Sequence, residues 1–376
     1  MTRVLVAGGG TGGHVYPAIA VIEQMRRSAR DVAIGYVGTR AGIERRVVGA
    51  LSDVRFFSVA ARGIERGRRF ATLRAGLVLI LGLVQSLFVF LRFRPTLILG
   101  MGGYASAAPV LLGAVLGKFL PIRTVIHEQN AVPGLANRFL SRWVDTVLVS
   151  FTDTVPRFSR ARRVVVTGNP VRPELFMAGR TAEAYRRLGL DPRKRTVLVF
   201  GGSGGSQALI SGAVRAAAAW RHEPRLQVLL VTGARVHAER LQSALRRAGI
   251  ENVVATTYID RMEDAFAIAD LVVCRAGATT VAEIATCGKP AVLVPWRDAA
   301  EDHQMENARL LHEAHACVIA EDEALLRGEL RVVVEEALGD EGRLAAMAQR
   351  ARSVGVRNAS LRVLTELAAL VGGLGP

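Results

Sequence analysis

Two glycine-rich segments, each directly after a short apolar run, carry the clearest chemistry in this sequence. Residues 4–6 lead into the cluster 8–13, and residues 197–200 lead into the cluster 201–206. A strand, a glycine turn and a helix start together form an anion site, because the first backbone N–H groups of a helix point outward at the positive end of its dipole. The sequence therefore predicts two α/β halves, each able to hold a phosphate or diphosphate.

Side chains that could move a proton follow these and other strand ends in the first half. His14 directly follows the first cluster, and its imidazole can accept a proton near neutral pH. The polar residues 127–130 follow the apolar run 124–126, and a further glycine turn, 100–104, follows another apolar run. Ligands of open α/β sheets bind at the carboxyl ends of the strands, so we expect these groups to line one site. Two glycine turns side by side suit a diphosphate.

A nicotinamide dinucleotide site is an alternative, because Gly8, Gly10 and Gly13 form a G-x-G-x-x-G pattern. Such a site needs an acidic side chain at the end of the second strand, where it binds the adenosine ribose. Here the second apolar run, residues 32–37, is followed by Gly-Thr-Arg, and the nearest acid, Asp31, precedes it. The sequence therefore disfavours an oxidoreductase.

Strands alternate with helices along the whole chain, which is typical of doubly wound parallel sheets. The predicted strands are residues 4–7, 32–37, 54–59, 96–99, 124–127, 146–149, 164–167, 197–200, 228–232, 253–256, 271–274, 291–294 and 317–320. A length of 376 residues suits two domains, and the stiff segment 169–173, with two prolines, separates them. We predict an N-terminal domain over 1–170, a C-terminal domain over 171–345, and a final helical segment over 346–376 that crosses back to the first domain.

Charge is divided unevenly between the halves, while the cysteines indicate a reducing compartment. Residues 1–170 hold 23 Lys and Arg against 8 Asp and Glu, whereas residues 171–376 hold 26 against 25. A basic face suits nucleic acid or an anionic membrane. Nucleic acid is disfavoured, because only 6% of the residues are aromatic and no recognition motif is present. The three cysteines lack metal-ligand spacing and are predicted to be reduced core residues of a cytosolic protein.

An apolar segment in the basic half favours the membrane. Arg68, Arg69 and Arg74 lead into residues 75–91, which as a helix would be about 26 Å long, slightly short of the ~30 Å hydrocarbon core. A full span would also place two strands of one sheet on opposite sides of a bilayer. We therefore predict a helix that packs on the sheet and dips one apolar edge into the headgroup region. The predicted contacts are Leu79, Leu83 and Phe88; a wholly buried helix ringed by solvated arginines is the alternative.

Seven motifs, in order along nearly the whole chain, resemble the MurG family of bacterial N-acetylglucosaminyltransferases. They are AGGGTGGHVYP at 7–17, GMGGYAS at 100–106, HEQN at 127–130, GNPVR at 168–172, GGS at 201–203, CRAGATTVAE at 274–283 and DHQMENA at 302–308. The chain departs from the family pattern after Ser203, where Gly204 and Gly205 replace the usual Gln-Gly, and at Ala276, where Ser is common. Neither departure removes an ionisable group.

The resemblance implies a GT-B fold, with two Rossmann-like domains facing a cleft. It further implies an inverting transfer of GlcNAc from UDP-GlcNAc to the C4 hydroxyl of MurNAc in undecaprenyl-linked lipid I, giving lipid II for the cell wall, with no metal or cofactor. The enzyme would lie peripherally on the cytoplasmic face of the inner membrane. Another GT-B transferase with a different lipid acceptor and a catalytically inactive membrane-docking protein are the alternatives.

The resemblance also implies roles for individual residues. His14 is the expected base, with Glu128 and Tyr104 as rivals, and Gly102, Gly103 and Tyr104 would bind the acceptor diphosphate. The residues expected to bind UDP-GlcNAc are Thr11, Gly12, Gly13, Asn130, Arg172, Ser203, Ile259, Ala278, Thr279, Thr280, Val281, Ala282, Glu283 and Gln304. Among them, Ser203 and Arg172 would stabilise the charge on the departing UDP, and Glu283 would accept two ribose hydroxyls.

Overall fold

The computed structural model describes residues 1–29, 31–62, 69–202, 204–234, 236–299 and 302–374, with the backbone alone for residues 69–73. The chain divides into two compact units. The N-terminal unit comprises Met1–Arg172 and Val356–Pro376, and the C-terminal unit comprises Pro173–Gly355. The first change of unit therefore falls inside the segment with two prolines, 169–173.

A seven-stranded parallel sheet forms the centre of the N-terminal unit, in the order β3-β2-β1-β4-β5-β6-β7. Its strands are β1 (Thr2–Ala7), β2 (Val32–Gly38), β3 (Val54–Ser58), β4 (Leu97–Gly100), β5 (Arg123–Glu128), β6 (Thr146–Val149) and β7 (Val164–Val166). Its helices are α1 (Gly12–Ser28), α2 (Ile43–Gly49), α3 (Arg69–Phe93), α4 (Tyr104–Leu116), α5 (Leu135–Leu140) and a 3₁₀ helix, Thr152–Phe158. The central strands are apolar and fully buried, as expected for strands covered by helices on both faces.

A six-stranded parallel sheet forms the centre of the C-terminal unit, in the order β10-β9-β8-β11-β12-β13. Its strands are β8 (Arg195–Phe200), β9 (Leu226–Val231), β10 (Val253–Thr256), β11 (Leu271–Cys274), β12 (Ala291–Leu293) and β13 (Cys317–Ile319). Its helices are α6 (Pro173–Met177), α7 (Ala182–Leu188), α8 (Gln207–Ala219), α9 (Ala238–Arg247), α10 (Met262–Ile268), α11 (Ala278–Cys287), α12 (His303–Glu313), α13 (Asp322–Arg327), α14 (Leu330–Leu338) and α15 (Glu341–Val354). The last helix of the chain, α16 (Ala359–Leu370), belongs to the N-terminal unit.

The structure confirms the predicted fold class, two doubly wound parallel sheets with helices between the strands. Each predicted strand has a counterpart that differs by no more than two residues at either end. The predicted final segment, 346–376, is divided between the two units and does not belong to the N-terminal unit as a whole. Its first part, α15, packs on α11 in the C-terminal unit, and only α16 packs on α1 in the N-terminal unit. Residues 355–358 break the helix, so one apolar periodicity covers two separate helices.

Helix α3 lies between two strands of one sheet, as the sequence predicted. Among the described residues, one helical stretch, Arg74–Phe93 of α3, is long and apolar enough to cross a membrane by length and composition, and 28% of its most apolar 18-residue window is buried. It packs against α4, and Phe90 and Phe93 reach the core beneath the sheet. Because β3 before it and β4 after it belong to the same sheet, the helix runs along that sheet.

Candidate active site

Both sheets change winding direction at one point, and the predicted glycine turns follow the strands at these points. In the N-terminal sheet the change lies between β1 and β4, where Ala7 is the register partner of Gly100. In the C-terminal sheet it lies between β8 and β11, where Phe200 is the partner of Cys274. Ligands of doubly wound folds bind at such switch points.

The imidazole of His14 is held by the first glycine turn. Its Nδ1 lies 3.3 Å from the carbonyl oxygen of Gly9 and 3.2 Å from Oγ1 of Thr11. A carbonyl oxygen only accepts hydrogen bonds, so the contact with Gly9 requires that Nδ1 carry the proton. Nε2 then carries the lone pair, which is the tautomer that a general base needs.

The second glycine turn comes close to His14. Gly102 and Gly103 have φ angles of +86° and +74°, a region that favours glycine. A Cβ on Gly102 would lie 3.1 Å from Nε2 of His14, and one on Gly103 would lie 2.2 Å from the carbonyl oxygen of Gly9. The structure therefore brings the two predicted turns together, with the Cδ2–Nε2 edge of the imidazole next to Gly102.

The remaining predicted residues of this region lie around the same two turns. Thr11 is exposed and is the N-cap residue of α1, which Gly12 and Gly13 begin. Tyr104 begins α4, and 46% of it is exposed. Arg172 belongs to the N-terminal unit, where its guanidinium lies 4.9 Å above the ring of Tyr16, two residues after His14.

Glu128, a predicted rival for the base, organises the loop after β5. The carboxylate is 2% exposed, and its Oε2 accepts hydrogen bonds from the backbone N–H of Gly134 at 3.1 Å and from Nδ2 of Asn137 at 2.9 Å. Its Oε1 accepts from the backbone and the side chain of Asn130, at 3.0 and 3.2 Å. Burial raises the pKa of Glu128, and these hydrogen bonds oppose that shift. Glu128 therefore positions Asn130.

His127 is fully buried and its neighbours keep it neutral. Its Nε2 donates to the carbonyl oxygen of Gly168 at 3.0 Å, and its Nδ1 accepts from Nε2 of Gln129 at 3.2 Å. Burial lowers the pKa of His127 to about 4. Gln129 also donates to the carbonyl oxygen of Met101, so the polar residues after β5 brace the turn after β4. Sequence reasoning missed this role of Gln129, although its place in the motif marked it.

The glycine turn of the C-terminal unit ends in a capped helix. The hydroxyl of Ser206 accepts from the N–H of Leu209 at the start of α8, and it also contacts the guanidinium of Arg275 at 2.7 Å. Arg275 pairs with both carboxylate oxygens of Asp322, at 2.7 and 3.0 Å. Arg275 directly follows β11 and contacts Ser206 in the turn after β8, so it links the two turns at the switch point. Ser203, the residue predicted to meet the donor diphosphate, lies outside the described residues.

Helix α11 begins at Ala278, as the motif predicted, with its first turn at the switch point. Among the predicted donor residues, Ala278, Thr279 and Val281 are buried, whereas Thr280, Ala282 and Glu283 are partly exposed. Burial, and next the nearby carboxylate of Glu283, raises the pKa of the Cys274 thiol well above its ordinary value. The thiol therefore stays protonated, as expected of a core cysteine.

The remaining predicted donor residues follow two other strands of this sheet, β10 and β12. Ile259 is buried in the loop between β10 and α10. Gln304 lies in the first turn of α12, where its Oε1 accepts from the backbone N–H of Trp296 at 3.0 Å. Asn307 of the same helix donates to the carbonyl oxygen of Ala276 and so holds α12 against the turn that precedes α11.

The exposed apolar surface of the N-terminal unit is larger than the sequence predicted. On α3, Phe88 is 67% exposed and Leu79 is 36% exposed, while Leu83 is half-buried and Arg74 is exposed. The side chain of Arg69 and the whole of Arg68 lie outside the described residues. Helix α4 packs against both α3 and α5, and its C-terminal end and α5 expose further large apolar side chains. These are Val115, Phe119, Leu120, Leu135, Phe139 and Trp143. Their spacing in the sequence is irregular, so the sequence did not predict that they belong to one surface.

Two family profiles match the chain. The N-terminal domain of glycosyltransferase family 28 matches residues 4–149, and the C-terminal domain of the same family matches residues 196–363. Each match contains a switch point and its glycine turn. The fold and these matches define a glycosyltransferase of the GT-B class.

Full-length relatives identify the family within that class. The chain is 37% identical to the UDP-N-acetylglucosamine--N-acetylmuramyl-(pentapeptide) pyrophosphoryl-undecaprenol N-acetylglucosamine transferase of Desulforudis audaxviator, over 98% of this chain and 99% of that protein. It is 38% identical to the transferase of the same name from Bacillus licheniformis, over 97% and 98%. The chain belongs to this family, MurG, which confirms the resemblance found in the sequence.

Solved structures agree with this assignment. The crystal structure of Acinetobacter baumannii MurG superposes with a TM-score of 0.72 at 27% identity, over 98% of this chain and 100% of that one. The calicheamicin glycosyltransferase CalG4 has a TM-score of 0.69 at 16% identity, over the whole of both chains, and so shows the fold alone.

Proposed function

We propose that this chain transfers GlcNAc from UDP-GlcNAc to the C4 hydroxyl of MurNAc in undecaprenyl-linked lipid I, with inversion, and so makes lipid II for peptidoglycan synthesis. The observation that carries the proposal is identity of 37% over 98% of the chain with a transferase named for these substrates. Within each unit, a glycine turn lies at the switch point of the sheet, where ligands of doubly wound folds bind, and this supports the proposal. A different lipid acceptor, the alternative weighed from the sequence, has no observation in its favour.

We assign the donor to the C-terminal unit. The start of α8 with its glycine turn offers backbone N–H groups to the diphosphate, and Ser203 and Thr280 add hydroxyls. Hydrogen bonds in that unit stabilise the charge that builds on the departing UDP, and Arg172 of the N-terminal unit is the proposed cation. Glu283, partly exposed on α11, accepts the ribose hydroxyls, and the backbone of Ile259 contacts the uracil. Gln304 and Asn130 contact the transferred sugar.

We assign the base to His14. Its Nε2 accepts the proton of the acceptor C4 hydroxyl while that oxygen forms a bond to the anomeric carbon and the bond from that carbon to UDP breaks on the opposite face. Glu128 is the weaker candidate, because its two oxygens already accept four hydrogen bonds and its side chain is buried. Tyr104, exposed beside Gly102 and Gly103, is better placed to bind the acceptor diphosphate with them than to take a proton.

We assign membrane contact to the exposed face of α3, extended by the ends of α4 and α5. Phe88 and Phe119 are 67% and 82% exposed, and Arg74 and Arg92 flank the apolar stretch. Amphipathic surfaces with this composition bind the interface of anionic membranes, each basic residue contributing about 1 kcal/mol near the surface. The proposed location is the cytoplasmic face of the cell membrane, where the polyprenyl tail of lipid I is anchored.

A transfer assay with radiolabelled UDP-GlcNAc and a short-chain lipid I analogue tests donor, acceptor and reaction together. The wild-type chain should form the labelled disaccharide lipid with β configuration. The H14A variant should lose about 10²- to 10⁴-fold in kcat, with UDP-GlcNAc affinity by calorimetry nearly unchanged. If the wild type hydrolysed UDP-GlcNAc or glycosylated only another lipid, the acceptor assignment would be wrong. If H14A lost donor binding in step with its rate, the base assignment would be wrong.

A further inference from the structure

Glu44, which neither the motifs nor the proposed mechanism uses, is a carboxylate built into the first glycine turn. It lies in α2 and is fully buried. Its Oε1 accepts from the backbone N–H of Thr39 at 2.7 Å and from the Thr39 hydroxyl at 2.6 Å. Its Oε2 accepts from the backbone N–H of Gly10 at 3.3 Å. A buried carboxylate is costly without such donors, so its hydrogen bonds fix its place.

Three glycines from three segments make the space that Glu44 fills. A Cβ on Gly9 would lie 2.4 Å from Oε1 of Glu44, and one on Gly42 would lie 2.2 Å from either oxygen. A Cβ on Gly38, at the end of β2, would lie 2.4 Å from its Cγ. The carboxylate therefore has no room to shift sideways, and the turn after β1 is packed directly against it.

One peptide unit joins Glu44 to His14. The unit between Gly9 and Gly10 donates its N–H to Oε2 of Glu44 and accepts, through its carbonyl oxygen, from Nδ1 of His14 at 3.3 Å. A carboxylate on the N–H side polarises the peptide and strengthens its carbonyl as an acceptor. The same contact holds the proton on Nδ1 and the lone pair on Nε2.

We propose that Glu44 is a positioning residue for His14, acting through the Gly9–Gly10 peptide to fix the ring, its tautomer and its basicity. The inference rests on the proposed function, in which His14 is the base. It also explains the incomplete dinucleotide pattern. An acid does follow the second strand, but the carboxylate of Glu44 is fully buried against the turn and is not exposed to an adenosine ribose. A negative charge near an imidazole favours its protonated form.

The E44Q variant tests this, because Gln keeps the size of Glu but loses one acceptor. Whichever way the amide is placed, its NH₂ group meets an N–H or O–H donor of Thr39 or Gly10. We expect kcat to fall about 10- to 100-fold, with UDP-GlcNAc affinity nearly unchanged, since the uridine and diphosphate of the donor are assigned to the other unit. The acidic limb of the kcat–pH profile should move to lower pH by about half a unit, because a nearby negative charge is lost. D53N, which neutralises an exposed acid of the same unit, is the matched control and should leave all three unchanged.

A double-mutant cycle separates positioning from general support of the fold. In the H14A background, E44Q should cause no further loss of kcat, because its effect passes through His14. T39V, which removes one hydroxyl donor to Glu44, is the milder second variant if E44Q unfolds, and it should change kcat in the same direction by less. Equal losses from E44Q with and without His14, or an unmoved pH profile, would overturn the inference. Failure of wild-type transfer would instead overturn the proposed function.

Discussion

The imidazole of His14 is restrained by backbone on two sides. Nδ1 is bound by the turn after β1, and the ring faces Gly102 in the turn after β4. Both turns follow neighbouring strands, so the position of the imidazole depends on how closely two backbones approach each other. The role of glycine at 102 and 103 is to permit that approach.

Substituting Gly103 should therefore damage catalysis at a distance from the reacting atoms. G103A places a Cβ 2.2 Å from the carbonyl oxygen of Gly9 and imposes an unfavourable φ of +74°. We expect a loss of about 1–3 kcal/mol in the free energy of unfolding and at least a tenfold loss in kcat. Urea denaturation and the transfer assay measure the two. G49A, where a Cβ meets nothing within 4 Å, should leave kcat unchanged. Full activity in G103A would show that the two turns can separate without harm.

At the residue scale, the sequence predicted that His14 and the second glycine turn lie together, but it did not predict the hydrogen bonds around them. The sequence placed His14 and Asn130 at strand ends, because each comes soon after an apolar run, and such runs can be read directly from the sequence. Glu128 was named as a rival base from its position at the end of β5 alone. The four hydrogen bonds that its carboxylate accepts come from residues 130–137, and no sequence pattern specifies the path of that segment. Glu44 was missed because it reaches the turn from a helix 34 residues away along the chain.

At the scale of elements, apolar runs predicted the strands well because buried parallel strands are continuously apolar. Helix ends were harder to predict. The apolar periodicity of residues 344–370 continues through a break at 355–358, and which side of that break belongs to which unit depends on tertiary packing. Helix α3 extends beyond the predicted run, 75–91, at both ends, because no proline or glycine adjoins the run to stop the helix there.

Helix α3 gives a prediction about the membrane. F88E places a charge on a side chain that is 67% exposed, so the fold should tolerate it. Binding to vesicles of phosphatidylglycerol and phosphatidylcholine should weaken about tenfold, because the apolar contribution of Phe88 is lost and like charges repel. Co-sedimentation measures it. L361E, on a residue of α16 that is 47% exposed, is the matched control and should bind as the wild type does. Equal binding by F88E and wild type would exclude this face of α3 from the membrane contact.

At the scale of the whole molecule, the two units divide charge as well as chemistry. The basic excess falls in residues 1–170, the part that holds His14 and the exposed apolar helix, whereas the donor motifs lie in a nearly balanced sequence. The chain returns to the N-terminal unit through α16, whose residues Val363, Leu364 and Leu367 pack in the same core as β1 and β4. The C-terminal helix is therefore part of the fold that holds the proposed base, although it follows the donor unit in the chain.

The packing of α16 in the N-terminal core predicts which unit loses stability when a buried side chain of that helix is truncated. L367A removes a fully buried side chain from the N-terminal core and should cost that unit about 2–5 kcal/mol, whereas L325A should cost the C-terminal unit a similar amount. UDP stabilises only the folded unit that binds it, so in thermal unfolding it marks the transition of the C-terminal unit. L367A should leave that UDP-dependent transition in place and lower the other one, and L325A should do the reverse. L361A, on the exposed side of α16, should change neither. A single transition that shifts equally in both variants would mean that the units unfold together and that α16 supports the whole chain.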